Sequence, residues 1–218
     1  MIRRRLCALV TLTSLTLLGA DLVPLALELP KPMFEGTPQN LQVPNLEKPR
    51  KGPRAPFLAP ADTVNLAKGR RVTGPGSDPV TGELSFLTDG EKSGGDGSWV
   101  ELAPGPQYVT IDLKKKSTIY ALLVWHYHKQ PRVYKGVVVQ TADDPDFITG
   151  VRTIFNNDVD NSVGAGVGKD QNYIETSEGR LIDARGVEAR YVRLYSNGNN
   201  INGSNHYVEV EVFGKPLN

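Results

Sequence analysis

Ala189–Gly214 reads ARYVRLYSNGNNINGSNHYVEVEVFG, and its pattern decides the fold. In Tyr191–Tyr195 and again in Tyr207–Phe213, apolar and polar residues alternate with a period of two, the mark of strands with one buried face. Between them, Ser196–Asn205 consists of Ser, Asn and Gly apart from Ile201. Amide and hydroxyl side chains donate and accept hydrogen bonds but do not titrate near neutrality. A polar, uncharged loop on a β scaffold suits recognition of hydroxyl-rich surfaces and lacks the groups that acid–base chemistry needs. The pattern implies a binding module and argues against an enzyme.

The same alternation recurs upstream. Gln107–Leu113 (QYVTIDL), Thr118–His126 (TIYALLVWH), Val133–Gln140 (VYKGVVVQ) and Gly150–Phe155 read as strands. Breakers separate them, among them Gly74-Pro75-Gly76, Gly94-Gly95 and Pro104-Gly105-Pro106. No window sustains a helical period. Many short strands with this punctuation predict an all-β sandwich from about residue 62 to 214.

The first residues, MIRRRLCALVTLTSLTLLGA, have the layout of a secretory signal peptide over 1–20. Arg3, Arg4 and Arg5 form the basic region, Leu6–Leu18 the apolar region, and Gly19-Ala20 a small-residue cleavage site. The apolar run is short and interrupted by Thr and Ser, so a membrane span in the mature chain is not expected; a retained signal anchor is the alternative. The single cysteine, Cys7, falls within this segment, and cleavage leaves a chain without disulfides, as a secreted or periplasmic, envelope-located protein. The formal charge of +1 then becomes negative, because loss of the three arginines leaves 22 basic against 24 acidic residues. Lys114-Lys115-Lys116 is the longest basic run that remains, too short to follow a phosphate backbone, so nucleic acid is not expected as a partner.

Residues 21–61 carry nine prolines, from Pro24 to Pro60. Each fixes φ and removes a donor, so the stretch is expected to be an extended spacer that holds the domain away from what lies upstream. The alternative is an arm strapped across the domain by Leu25, Leu27, Phe34 and Phe57. Residues 62–218 then form one domain, long enough for a real core.

The order of landmarks in that domain is similar to one family. Asn65-Leu66-Ala67, Thr88-Asp89-Gly90, Trp99, YVTIDL, RYVRLY and EVEVFG resemble, in sequence order, the discoidin-like (coagulation factor type C) domains and the related galactose-binding-like carbohydrate-binding modules. The resemblance covers most of 62–214 and implies a jelly-roll β-sandwich whose loops at one end bind sugars, lipids or proteins. Two departures stand out. The disulfide usual in the type C domains is absent, and Asn156–Tyr173 is long and Gly-rich, read as a mobile loop beside the site.

Three sets of residues carry candidate chemistry. The resemblance implies a structural calcium held by Asp89, Ser98 and Glu209 with the carbonyls of Leu87 and Glu91; hard oxygens from a flexible loop are what calcium takes, and an ordinary Asp-Gly turn is the alternative. The chain has three histidines, His126, His128 and His206. His126 and His128 are two apart on a strand and share a face, so convergence with His206 would make a zinc or copper site; hydrogen-bonding or separately structural histidines are the alternative. The third set is the recognition face. Expected ligand contacts are His126, His128, Arg132, Asn199, Asn205 and His206, with Trp125 and Trp99 assigned to the core. Sugars stack an apolar face on an aromatic ring and give their hydroxyls to convergent polar groups.

Elsewhere, Arg193 is expected to pair with Asp112. Asn156–Asp170 superficially resembles a calcium loop but places Val163 and Lys169 where an EF-hand needs Gly and an acid, so that reading fails. No nucleophile elbow, metalloprotease helix or phosphate-cradling loop is present in the sequence. The functional expectation is a secreted, non-catalytic module recognising carbohydrate on a cell surface or an extracellular polysaccharide. Its competitors are an adhesion or envelope domain docking onto another protein, and a His-based metal-dependent hydrolase.

Overall fold

The computed structural model describes residues 21–34, 41–48, 50–76, 78–95 and 97–217; the signal segment and Cys7 lie outside them. Strands dominate. β1 (Leu22–Pro24) pairs antiparallel with β2 (Leu58–Pro60) in a small ribbon. The main body comprises β3 (Val64–Asn65), β4 (Val72–Thr73), β5 (Val100–Leu102), β6 (Gln107–His126), β7 (Val138–Ala142), β8 (Arg152–Asn156), β9 (Arg180–Ser196) and β10 (Asn205–Pro216). Among the described residues one 3-10 turn, Leu84–Thr88, interrupts them. The strands run β3-β10-β6-β9-β7-β8, with β4 added to β6 and β5 to β10, all antiparallel. The all-β reading holds.

The two central strands are longer than their sequence segments suggest. QYVTIDL and TIYALLVWH fuse into β6, which bends where its register with β9 slips between Asp112 and Ser117. Lys114 sits there at φ 72°, and its amide is held by the Asp112 carboxylate. A second slip, between Ile119 and Ala121, falls opposite Arg185 and Gly186 of β9, both at positive φ. An extra residue in one strand sharpens twist and bends it. These bends let the two long strands fold the sheet over a core of Val109, Ile111, Ile119, Leu122, Val124, Val192, Leu194, Val210 and Val212.

The second half of β6 is buried on both faces. Leu122 and Val124 face the main core; Ala121, Leu123 and Trp125 form a second cluster with Val208 and Phe213. A strand covered on both sides needs no polar alternation, which is why ALLVW reads as a continuous apolar run. Trp125 is core, as expected, and its indole N–H donates to the Ser177 carbonyl at 2.9 Å. Trp99 is partly buried at the edge of this cluster.

What covers the second cluster corrects the reading of the Pro-rich stretch. It is extended and free of helix in its described residues, but it does not stand away from the domain. Leu25, Leu27 and Phe57 pack on the cluster. The Arg54 guanidinium donates to the carbonyls of Glu178 and Gly179, at 2.5 and 3.0 Å. Arg50 pairs with Glu178 and Glu47 with Arg180, each at 2.7 Å, and Leu46 bridges Asn172. The prolines deny this arm a partner strand of its own over most of its length, and its leucines and arginines anchor it to the body instead.

Two smaller expectations also change. Asp112 takes Arg190, at 2.9 and 3.0 Å, which holds its carboxyl down at about 2 chiefly through that bond. Arg193 donates instead to Thr110 and to the Pro145 carbonyl and lies between the rings of Tyr108 and Phe147, 4.5 and 4.0 Å away. Nor does Asn156–Tyr173 lack internal order. The Asp158 carboxylate accepts from Ser162 and Val163, Asn156 binds the Gly166 carbonyl, and Asp170 accepts from the Asn156 amide. Short polar side chains bonded to their own backbone give the loop a fixed shape.

Candidate recognition site

The register brings the site together. Pairing of β5 with β10 sets Glu101 opposite His206, and the next pair sets Tyr207 opposite His126 at the end of β6. Past β6 the chain turns through Lys129–Pro131, and an isolated bridge between Tyr134 and Asn199 ties it to the Asn-rich loop. Glu101, Tyr127, Arg132, Tyr134 and His206 therefore meet at one end of the sheet.

Their geometry assigns donors and acceptors. The Arg132 guanidinium lies 4.7 Å from the centre of the Tyr127 ring, and Trp99 meets that ring edge-on at 5.5 Å. Arg132 Nη1 is 3.3 Å from His206 Nδ1, and the Tyr134 hydroxyl is 3.1 Å from the same nitrogen. A guanidinium can only donate, so Nδ1 is the acceptor and His206 is the neutral tautomer with its proton on Nε2. Burial, with the Arg132 charge in support and Glu101 opposing, pushes His206 down to about 4. Nε2 faces the Glu101 carboxylate across 3.9 Å, beyond direct hydrogen-bonding reach. The arrangement offers an aromatic surface, a guanidinium, an imidazole N–H and a carboxylate acceptor side by side.

The expected contact residues divide into two groups. Arg132 and His206 are at this site. His126, His128, Asn199 and Asn205 are buried and occupied within the protein. His126 Nδ1 is 2.6 Å from Glu175 Oε1, and its ring stacks on Tyr134. His128 Nε2–H donates to the Lys92 carbonyl at 2.8 Å. Asn199 accepts from the amides of Ile201 and Asn202 and donates to Ser204, folding the loop onto itself. Asn205 donates to the carbonyls of Ala103 and Gly105 and accepts from Gly198, tying that loop to the β5–β6 turn. The amide-rich loop is thus largely self-satisfied. The three imidazoles do not converge, because strand alternation stops at His126, where β6 ends, and His128 turns toward the Lys92–Gly94 segment. Among the described residues no group of three or more His, Cys, Asp or Glu is arranged to hold a metal ion.

Glu101 and Glu175 escaped the sequence reading. Alternation along Ser98–Leu102 (SWVEL) puts Glu101 on the face opposite Val100 and Leu102, a signal too short to choose a partner. Glu175 follows the Gly-rich loop, and nothing local marks it.

The residues expected around calcium lie on the Leu87–Ser98 loop and, as Glu209, on β10. Glu209 is fully buried; one oxygen accepts from the Gly90 amide at 3.1 Å and the other has no partner among the described residues. Burial first, then the Glu211 and Asp89 carboxylates, push Glu209 up to about 9, against the Gly90 bond and the Lys92 charge. Asp89 is exposed and accepts from the Glu91 amide at 2.7 Å. Ser98 donates its hydroxyl to the Gly95 carbonyl at 2.8 Å. A buried carboxylate with an orphaned oxygen beside an aspartate on a turn fits a hard cation.

The fold recurs in solved structures. A family 89 glycoside hydrolase from Clostridium perfringens, in complex with 2-acetamido-1,2-dideoxynojirmycin, matches with a TM-score of 0.54 and 18% identity over 71% of this chain; the match spans 15% of that enzyme. CpGH89CBM32-4, produced by the same organism and in complex with GlcNAc-α-1,4-galactose, matches with 0.51 and 18% over 71% of this chain and 96% of its own. Truncated AlyQ with CBM32 and alginate lyase domains gives 0.51 and 20% over 72% of this chain and 34% of its own. No family model and no curated protein matches the sequence. At this identity the likeness is one of fold: the chain shares the antiparallel β-sandwich of these structures.

Proposed function

We propose that the protein is a non-catalytic carbohydrate-binding module, exported from the cell, which takes a sugar residue at the Glu101–Tyr127–Arg132–His206 end of the sandwich. One observation carries this reading: Arg132 is stacked on Tyr127 beside the His206 Nε2–H and the Glu101 carboxylate, without a carboxylate partner of its own among the described residues. Such a set accepts from and donates to neighbouring hydroxyls over an aromatic ring, and burial keeps His206 a neutral N–H donor at neutral pH. The fold shared with a module crystallised with GlcNAc-α-1,4-galactose supports the same assignment.

Calcium belongs to this proposal as a structural ion. Glu209 and Asp89, with loop carbonyls of Leu87 and Glu91, would hold it; Ser98 would have to release Gly95 to join. When bound, the ion would pin the 87–99 loop to β10, the work a disulfide does elsewhere. Docking onto an envelope protein is the second reading, since the same loops would serve.

A glycan array followed by calorimetry on residues 21–218 tests the proposal. The arm is kept because it covers Trp125 and Leu123. Arg132→Ala is expected to weaken binding by about 1.5–3 kcal/mol, the value of a hydrogen bond from a charged donor, and to leave the melting curve nearly unchanged. Binding of no glycan, or equal binding by Arg132→Ala, would remove the reading.

A further inference from the structure

Behind Arg132 and His206 lies a second polar layer that packing alone does not explain. His126 and Glu175 are both fully buried and in contact at 2.6 Å. Withdrawing a carboxylate and an imidazole from water together is costly, and apolar residues of similar volume often hold a core as well or better. As a stabiliser the pair is a poor choice. Its contacts, however, run to the recognition face by two routes.

The Glu175 backbone N–H donates to the Arg132 carbonyl at 2.8 Å, fixing the segment that carries the guanidinium. The Glu175 carboxylate orients His126, whose ring stacks on Tyr134 at 4.4 Å with planes 18° apart. Tyr207 also packs on His126, at 4.7 Å, with its own hydroxyl anchored on Ser196. Held in this way, the Tyr134 hydroxyl meets His206 Nδ1 at 3.1 Å.

The geometry points to Glu175, His126 and Tyr134 as positioning residues, a buried relay that aims Arg132 and presets His206 as the Nε2–H tautomer before any ligand arrives. A preset face loses less freedom on binding, which raises affinity without adding a contact. The purpose of the preset rests on the sugar-binding reading, whereas the preset itself can be measured without a ligand.

Nitrogen-15 NMR of the histidine rings in residues 21–218 is the test. Tyr134→Phe removes the hydroxyl and keeps the stacked ring. The Nε2–H fraction of His206 is expected to fall, and its protonation midpoint to rise by about 0.4 to 1 pH unit, one hydrogen bond's worth. His126→Phe combined with Glu175→Met should shift the same signals while Tm is kept or raised, an outcome that a purely stabilising pair would not give. Affinity for a glycan that the unaltered protein binds is expected to drop about 3- to 10-fold in both. Unchanged His206 signals in Tyr134→Phe would overturn the relay, even if the double variant failed to fold. Absence of any glycan binding by the unaltered protein would remove the sugar reading, while the NMR signals would still decide the relay.

Discussion

His206 and Glu209 stand three residues apart on β10 and are displaced in opposite directions, to about 4 and about 9. Each therefore makes stability depend on pH, with opposite sign. The folded protein disfavours protonated His206, so its contribution is full above the unfolded value near 6.5 and is lost as pH falls toward about 4. The folded protein disfavours ionised Glu209, so its contribution is full below 4.5 and is lost as pH rises toward about 9. Without calcium the two slopes offset each other up to about pH 6.5, so Tm should decline from pH 6.5 to pH 9, and Glu209→Gln should flatten that limb. Calcium binds the ionised form, so its affinity should rise over the same range. At about 100 times its dissociation constant it should stabilise by about 2.7 kcal/mol. Thermal scans with EDTA and then excess calcium decide the matter: Tm values that do not respond would make Asp89-Gly90 an ordinary turn. Of these two residues, sequence marked both, His206 through its place at the loop and Glu209 through the family resemblance. It could not show that His206 is neutral, because that follows from Arg132 and Tyr134, which are distant in the chain and near in space.

At the scale of elements, what was legible was whatever repeats locally. β10 and the ends of β6 follow from alternation, and the run ALLVW announces a strand buried on both faces. The first half of β9 was missed because the bulge at Arg185-Gly186 breaks the period that Ile182, Ala184, Val187 and Ala189 would otherwise keep. The arm was misjudged for a different reason: its prolines report what it cannot form, while Leu25, Leu27 and Phe57 report only that it could pack. Two consequences can be measured. Removing residues 21–61 bares Leu123 and Trp125, and three side chains at about half their full burial value amount to roughly 2–5 kcal/mol. The fragment should melt lower and show red-shifted tryptophan emission; coincident melting curves would mean that the arm contributes nothing. Gly179 lies under the Trp125 ring at φ 63°, where a Cβ would come within 2.7 Å of the indole. Gly179→Ala combines a left-handed backbone with overpacking and should cost about 1–3 kcal/mol, read as a fall in Tm.

At the scale of the molecule, the proposed recognition face lies at one end of the sandwich, and its strongest donors are the Arg132 guanidinium and the His206 Nε2–H. Few ligand atoms can be covered there, and at about 0.3 kcal/mol per atom or somewhat more a single copy should bind weakly. The mature chain has a small negative charge if the signal is removed, so non-specific attraction to anionic surfaces should add little. Retention on a polysaccharide would then depend on several copies acting together. Two copies of residues 21–218 joined by a flexible linker that spans neighbouring sugar sites should be retained 10²- to 10⁴-fold longer than one, without any new contact. Column retention on the glycan identified by the array, for the single and the joined protein, measures this, and Arg132→Ala in both copies should abolish the gain. The recovered glycan should also be chemically unaltered. If it is cleaved, and cleavage is lost alike in His126→Ala, His128→Ala and His206→Ala, the histidines act together as a metal-dependent centre. That result would contradict their observed commitments to Glu175, to the Lys92 carbonyl and to Tyr134, which keep each ring at its own post.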